Sequence, residues 1–146
     1  MKHAFTMIEL IFVIVILGIL AAVAVPKLSA TRDDAKVSKI AQNIATAAAE
    51  ISTYAMSKGR TDSDFLVMSN AMRTMKNHGN VRLSANQAMI LAEGSDCIKM
   101  AIVSSATNDD LIVTFETSTN KICDGLQRLI DIDKYPMKLR GNSVTY

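Results

Sequence analysis

Ala4-Phe5-Thr6-Met7-Ile8-Glu9 leads into an apolar run that carries no charge from Leu10 to Pro26. Those 17 residues would span roughly 26 Å as a helix, close to a hydrocarbon core of about 30 Å. A carboxylate at Glu9 is costly in that setting, by roughly 2.5–3.5 kcal/mol deep in a bilayer. Such a charge persists where it has a partner, so the segment reads as more than a bare anchor.

The remaining composition has two regimes. Residues 5–26 are almost wholly apolar, whereas 58–146 have the mixture of a soluble domain. A net charge of +2 is too small for a nucleic-acid footprint. Lys27, Arg32, Lys36, Lys39, Lys58 and Arg60 outnumber Asp33, Asp34 and Glu50, which reads as a solvated or headgroup-facing stem. The two cysteines, Cys97 and Cys123, form one disulfide if the soluble part lies outside the cytoplasm and are buried thiols if it lies inside. Bonded, they would add about 3 kcal/mol on the chain-entropy model. A secretory signal peptide is the alternative for the N-terminus, with Ala21-Ala22-Val23-Ala24 as its cleavage site, but the basic region before the run is only Met1-Lys2-His3. Lys2 precedes the span while Lys27, Arg32, Lys36 and Lys39 follow it, so a positive-inside count alone places the domain in the cytoplasm.

Lys2-His3-Ala4-Phe5-Thr6-Met7-Ile8-Glu9-Leu10-Ile11, followed by Gly18 to Pro26, resembles the class III signal and helix start of type IV pilins and type II secretion pseudopilins. The resemblance covers roughly the first 30 residues. It implies a prepilin peptidase cut on the cytoplasmic side between Ala4 and Phe5, removing residues 1–4, with N-methylation of Phe5. Glu9 then matches the family's acidic fifth position, and Gly18 and Pro26 match helix-breaking positions around which the stem loosens in filaments. The family usually has Gly before the cut, where this chain has Ala4. The implied topology is single-pass in a bacterial inner membrane, N-terminus cytoplasmic and C-terminal domain periplasmic, against the charge count.

The chemistry of Glu9 follows from such a cut. A free amine on Phe5 gives the carboxylate of a neighbouring copy a cation to meet, and buried ion pairs set register better than they stabilise. Gly18, Ala21, Ala22 and Ala24 offer the small surface on which lipid-embedded helices pack. The plainer reading has Glu9 snorkel to the headgroups.

Beyond Pro26, Val37, Ile40, Ile44, Ala47 or Ala48, Ile51 and Tyr54 or Ala55 recur at helical spacing, predicting an amphipathic stem over 27–57 that ends near Gly59. This stripe packs on the chain's own domain in part. Ser63 or Asp64 caps a helix over Phe65–Met75 whose methionines fill core. Ala85–Ala92 is expected to be helical, Cys97–Val103 and Leu111–Glu116 to be strands, Asn120–Arg128 a short helix after Cys123, and Ser143–Tyr146 a last strand. The expected fold is α+β, a long helix with a membrane-spanning first half packed against a small antiparallel sheet, with 58–146 as the soluble domain.

No catalytic constellation, phosphate loop or metal-spaced cluster is found, so no enzyme activity, cofactor or metal is expected; His78 is isolated in a polar loop, and Asp131 and Asp133 are two ligands where calcium takes 6–8. Two functions fit. One is a structural subunit, cleaved, methylated and polymerised into a pseudopilus or pilus-like filament, with copies of itself, other pilin-like subunits, the prepilin peptidase, the inner membrane and an assembly platform as partners. The other is a monomeric membrane-anchored periplasmic binding protein such as a DNA-uptake receptor, for which the charge gives no support.

Overall fold

The computed structural model describes residues 6–140, which form an α+β fold. The chain divides into two compact units, Met1–Ala35 and Lys36–Tyr146. Helix α1, Met7–Lys58, runs through both, with Gly18 and Pro26 inside it. Gly59 follows at φ +65, the left-handed conformation that ends helices and that glycine adopts at no steric cost.

In the second unit, α1 presents Val37, Ile40, Ile44, Ala47, Ala48, Ile51 and Ala55 to the core. Their three- and four-residue steps form one stripe, as the periodicity predicts. The stripe shares a single apolar cluster with the strands β1 (Val81–Ser84), β2 (Gln87–Ala92), β3 (Ser95–Ser104), β4 (Asp109–Phe115) and β5 (Met137–Arg140). These make an antiparallel sheet in the order β1-β2-β3-β4-β5, each strand paired with its sequence neighbour. Alternation puts Ala88, Ile90, Ile98, Met100, Ile102, Leu111 and Val113 in the core, and register pairs Ile90 with Ile98 and Met100 with Val113.

Three expectations need correction. Ala85–Ala92 is not helical: Ala85 and Asn86 turn the chain between β1 and β2, with Asn86 at φ 58, and β2 follows. The high helix propensity of its Ala, Gln, Met and Leu loses to pairing on both sides. The helix over Phe65–Met75 is two helices, α2 (Phe65–Met68) and α3 (Asn70–Asn77), broken at the extended residue Ser69. Asp64 caps α2 and Ser69 caps α3, and Phe65, Met68, Met72 and Met75 are buried together. Helix α4 is Lys121–Leu129, so it starts before Cys123, with Asn120 as cap. The strand expected over Ser143–Tyr146 lies outside the described residues; β5 comes earlier, at Met137–Arg140.

The structure joins Cys97 on β3 to Cys123 on α4 by a disulfide between Cα atoms 5.5 Å apart, both sulfurs inside the core. Gln127, one turn on, donates its Nε2 hydrogens to the carbonyls of Cys97 and Glu116 at 3.0 and 2.8 Å. Gly125 faces Val37: a Cβ there would lie 3.2 Å from Val37 Cγ2, so the bare backbone sets how closely α4 approaches α1.

Two carboxylates tie these elements. Glu50 of α1 accepts from the Ser69 hydroxyl at 2.6 Å and the Ala71 amide at 3.0 Å, anchoring the start of α3. Burial would raise its carboxyl, but those bonds outweigh it and hold it below the ordinary value. Asp109, 2% exposed, accepts from Arg140 Nε and Thr61 Oγ1, each at 3.0 Å, and so joins β4, β5 and the turn after α1. Burial opposes its charge, and the bonds from Arg140, Ser104 and Thr61 more than offset it, so its carboxyl lies below the usual range. A depressed folded value means a contribution fully present above the unfolded pKa of about 3.9 and lost as pH falls through the folded one. Chemical denaturation of the full chain in detergent micelles should therefore show stability falling below about pH 4. Asp109→Asn should cost about 1–3 kcal/mol at pH 7 and flatten that acid limb.

Candidate assembly site

The first half of α1 presents apolar side chains that its own unit leaves uncovered. Fifteen large ones from Met7 to Leu28 are exposed, Phe12 at 67% and Ile19 at 64% among them. Water penalises that surface by roughly 1.5–3 kcal/mol for each large side chain left uncovered. Length and composition allow the segment to cross a membrane. A bilayer or neighbouring helices must therefore cover this surface.

Glu9 sits in the first turn of α1 and is exposed. Its Oε2 accepts from the Thr6 backbone N–H at 2.8 Å and from the Thr6 hydroxyl at 2.7 Å. In return the Glu9 N–H donates to Thr6 Oγ1 at 3.3 Å, and Leu10 N–H closes the first helical bond on the Thr6 carbonyl at 3.2 Å. This is a capping box, with Thr6 as N-cap and Glu9 three positions later, each side chain serving the other's backbone. Thr6 is the site residue that the sequence reading missed. Its signal was present, as Thr-x-x-Glu directly before an apolar run.

Gly18 has no reason to be glycine within its own chain. A Cβ there would meet nothing within 4 Å, and its φ is not in the left-handed region, yet glycine weakens a helix interior by about 1 kcal/mol relative to alanine. Pro26 has no N–H to give the Ala22 carbonyl, so α1 carries a gap in its ladder there, a defect of about 3 kcal/mol in an isolated helix interior. Glu9, Gly18 and Pro26 thus lie on one helix, and Ala4 and Phe5 lie outside the described residues. Cys97 and Cys123 are in the other unit and belong to its core. Asp131 caps the short 3-10 turn Ile132–Lys134, accepting from Asp133 N–H at 3.2 Å and pairing with Lys134 at 3.7 Å. Among the described residues no three His, Cys, Asp or Glu side chains gather as a metal site.

Residues 1–25 match the family model of the prokaryotic N-terminal methylation motif. That motif is the signature found at the start of type IV pilins and pseudopilins, and here it falls on a helix long and apolar enough to cross a membrane. The match ends before the second unit begins. No curated protein and no solved structure matches the chain significantly.

The capping box predicts that Thr6→Val weakens the start of α1 by about 1 kcal/mol while Thr6→Ser leaves it intact. Amide exchange in micelles should be about fivefold faster at Glu9 and Leu10 in Thr6→Val alone.

Proposed function

We propose that this chain is a structural subunit cut between Ala4 and Phe5, N-methylated at Phe5 and polymerised through helix 5–26 into a type II secretion pseudopilus or a type IV pilus-like filament. The observation that carries this reading is the methylation motif falling on the start of α1, where the apolar surface is uncovered and the one carboxylate between Met7 and Pro26 stands in the first turn. The cut leaves a cationic amine four residues before Glu9. In hydrocarbon that amine and a carboxylate of a neighbouring copy attract strongly, and their pairing fixes the axial offset between helices that apolar contacts alone let slide. Gly18 lets a neighbour's backbone approach closely, and the gap at Pro26 makes the helix easiest to unwind there. Growth by such a contact is head-to-tail and open, since one patch binds a different patch of the next copy.

In this reading the precursor stands in the inner membrane with its N-terminus in the cytoplasm and residues 58–146 in the periplasm. The prepilin peptidase, an assembly platform and other pilin-like subunits are its partners. An oxidising periplasm also suits a Cys97–Cys123 disulfide.

Mass spectrometry of the protein from its native membrane should find an N-methylated Phe5 terminus. An intact Met1, or a cut near Ala24, would contradict the processing step. Glu9→Ala should insert in the membrane at wild-type level yet lose filament incorporation, read by shearing and sedimentation. Normal filaments from that variant would favour the rival function, a monomeric receptor that uses the helix only as a tether.

A further inference from the structure

A groove lying wholly within the second unit, between α1 and the start of α3, presents acceptors and few donors. Thr46, Glu50 and Thr53 of α1, with Ser69 and Asn70 at the head of α3, line about 400 Å³ of it. Each hydroxyl there uses its proton inside the chain. Thr46 donates to the Gln42 carbonyl at 2.9 Å, Thr53 to the Ala49 carbonyl at 2.8 Å and Ser57 to the Tyr54 carbonyl at 2.9 Å. Ser69 donates to Glu50 Oε2 at 2.6 Å. The amides that open α3 are also taken. Those of Asn70 and Ala71 serve Glu50, Met72 N–H goes to Ser69 Oγ at 3.1 Å, and Arg73 N–H to the Ser69 carbonyl at 3.4 Å. What the hydroxyls keep is lone pairs, and of the lining side chains only Tyr54 and Asn70 have N–H or O–H left to give.

Glu50 gives the groove a charge that no cation in it balances. Its partners are neutral groups, and no Lys, Arg or His is among the lining residues. Burial acts to raise its carboxyl, yet the bonds from Ala71, Ser69 and Asn70 hold it below the ordinary value, so it is ionised at neutral pH. The head of α3 offers it only about half a positive charge. A donor-rich cation is what such a groove lacks. A hard metal ion matches poorly, because calcium takes roughly 6–8 oxygens, usually from several carboxylates, and here there is one. An ammonium gathers its donors at one point, whereas these acceptors are spread. Thr46 and Thr53 stand one turn either side of Glu50 on one helix face, with roughly 5–6 Å between neighbouring Cβ atoms. A guanidinium carries its N–H groups in a planar fork that reaches a carboxylate and flanking oxygens together. Tyr54, Met68 and the half-exposed Val67 add apolar wall along which the methylenes of such a side chain can lie.

We propose that this groove binds the guanidinium of an arginine side chain presented by a protein partner. Glu50 makes the charge contact, and the Thr46 and Thr53 oxygens take the outer N–H groups. The test uses the full chain in uncharged maltoside micelles with two short peptides, acetyl-Gly-Arg-Gly-amide and its citrulline counterpart. Citrulline keeps the length and shape of arginine and replaces the cation by a neutral urea. Methyl resonances of Thr46, Ala49 and Thr53 report occupancy. They should shift saturably with the arginine peptide, at an affinity about tenfold or more above that of the citrulline peptide. Glu50→Gln keeps an oxygen for the Ser69 hydroxyl and the Ala71 amide, and it should erase that preference. Thr53→Val keeps the carboxylate and its bonds, and it should weaken the arginine peptide about threefold. Absence of a saturable shift, or equal affinity for the two peptides, would overturn the proposal, as would a preference that survives in Glu50→Gln. Where Glu50→Gln fails to fold, Thr53→Val decides, and an unchanged arginine affinity there overturns the proposal.

Discussion

An apolar helix face is stable only against whatever covers it, and α1 meets that constraint in two ways. From Val37 to Ala55 the cover is the chain's own sheet, and the buried residues form a stripe of limited width with polar residues on the other faces. From Met7 to Leu28 the large side chains are exposed on every face of the helix, so a single flat partner could not bury them. Only a surround can do so, either lipid or a ring of helices. A soluble domain and an anchor are therefore written into one element, and the difference lies in how far the apolar residues spread around its circumference.

The second unit depends on polar contacts where its apolar stripe ends. Val37 to Ala55 can fix how α1 faces the sheet, but apolar contact is non-directional and leaves the ends free to slide. Glu50 fixes one end by taking the Ser69 hydroxyl and the Ala71 amide, so the break between α2 and α3 is held against α1. Asp109 fixes the other edge, where the short strand β5 adds little burial beyond Leu139. The disulfide and Gln127 then hold α4 over β3. Each device joins elements distant in sequence at a place where packing alone specifies little.

What could be read from the sequence follows the range of the forces involved. The stripe on α1, the strands around Met100 and Val113 and the buried methionine face from Phe65 to Met75 were legible, because hydrophobic periodicity is set locally. Ala85–Ala92 was not. Its helix-forming composition is local, whereas the pairing of Ile90 with both Val81 and Ile98 that makes it a strand is not. The strand β5 was missed for the same reason: Met137-Lys138-Leu139-Arg140 is short, and its place is fixed by Asp109 across the sheet. The cysteine pairing depended on compartment, which composition does not state, and on α4 lying over β3, which only the tertiary structure shows.

Glu9 was legible as a costly charge, but its local partner was overlooked, and that partner changes the energetics of any assembly built on it. A carboxylate already accepting from the Thr6 amide and hydroxyl is not an unsatisfied charge waiting in the membrane. Its desolvation is partly compensated before any neighbour arrives, which lowers the cost of holding the monomer in lipid. The same compensation weakens the drive toward an intermolecular amine, since the gain on pairing is only the difference between two sets of partners. Both bonds from Thr6 come to one oxygen, Oε2, so among the described residues the cap itself does not use Oε1, and a cation accepted there would not break it. In the proposed filament, a copy capped this way would be stable alone and would still add a neighbour at Glu9, as long as the incoming amine takes Oε1, the oxygen that Thr6 does not use.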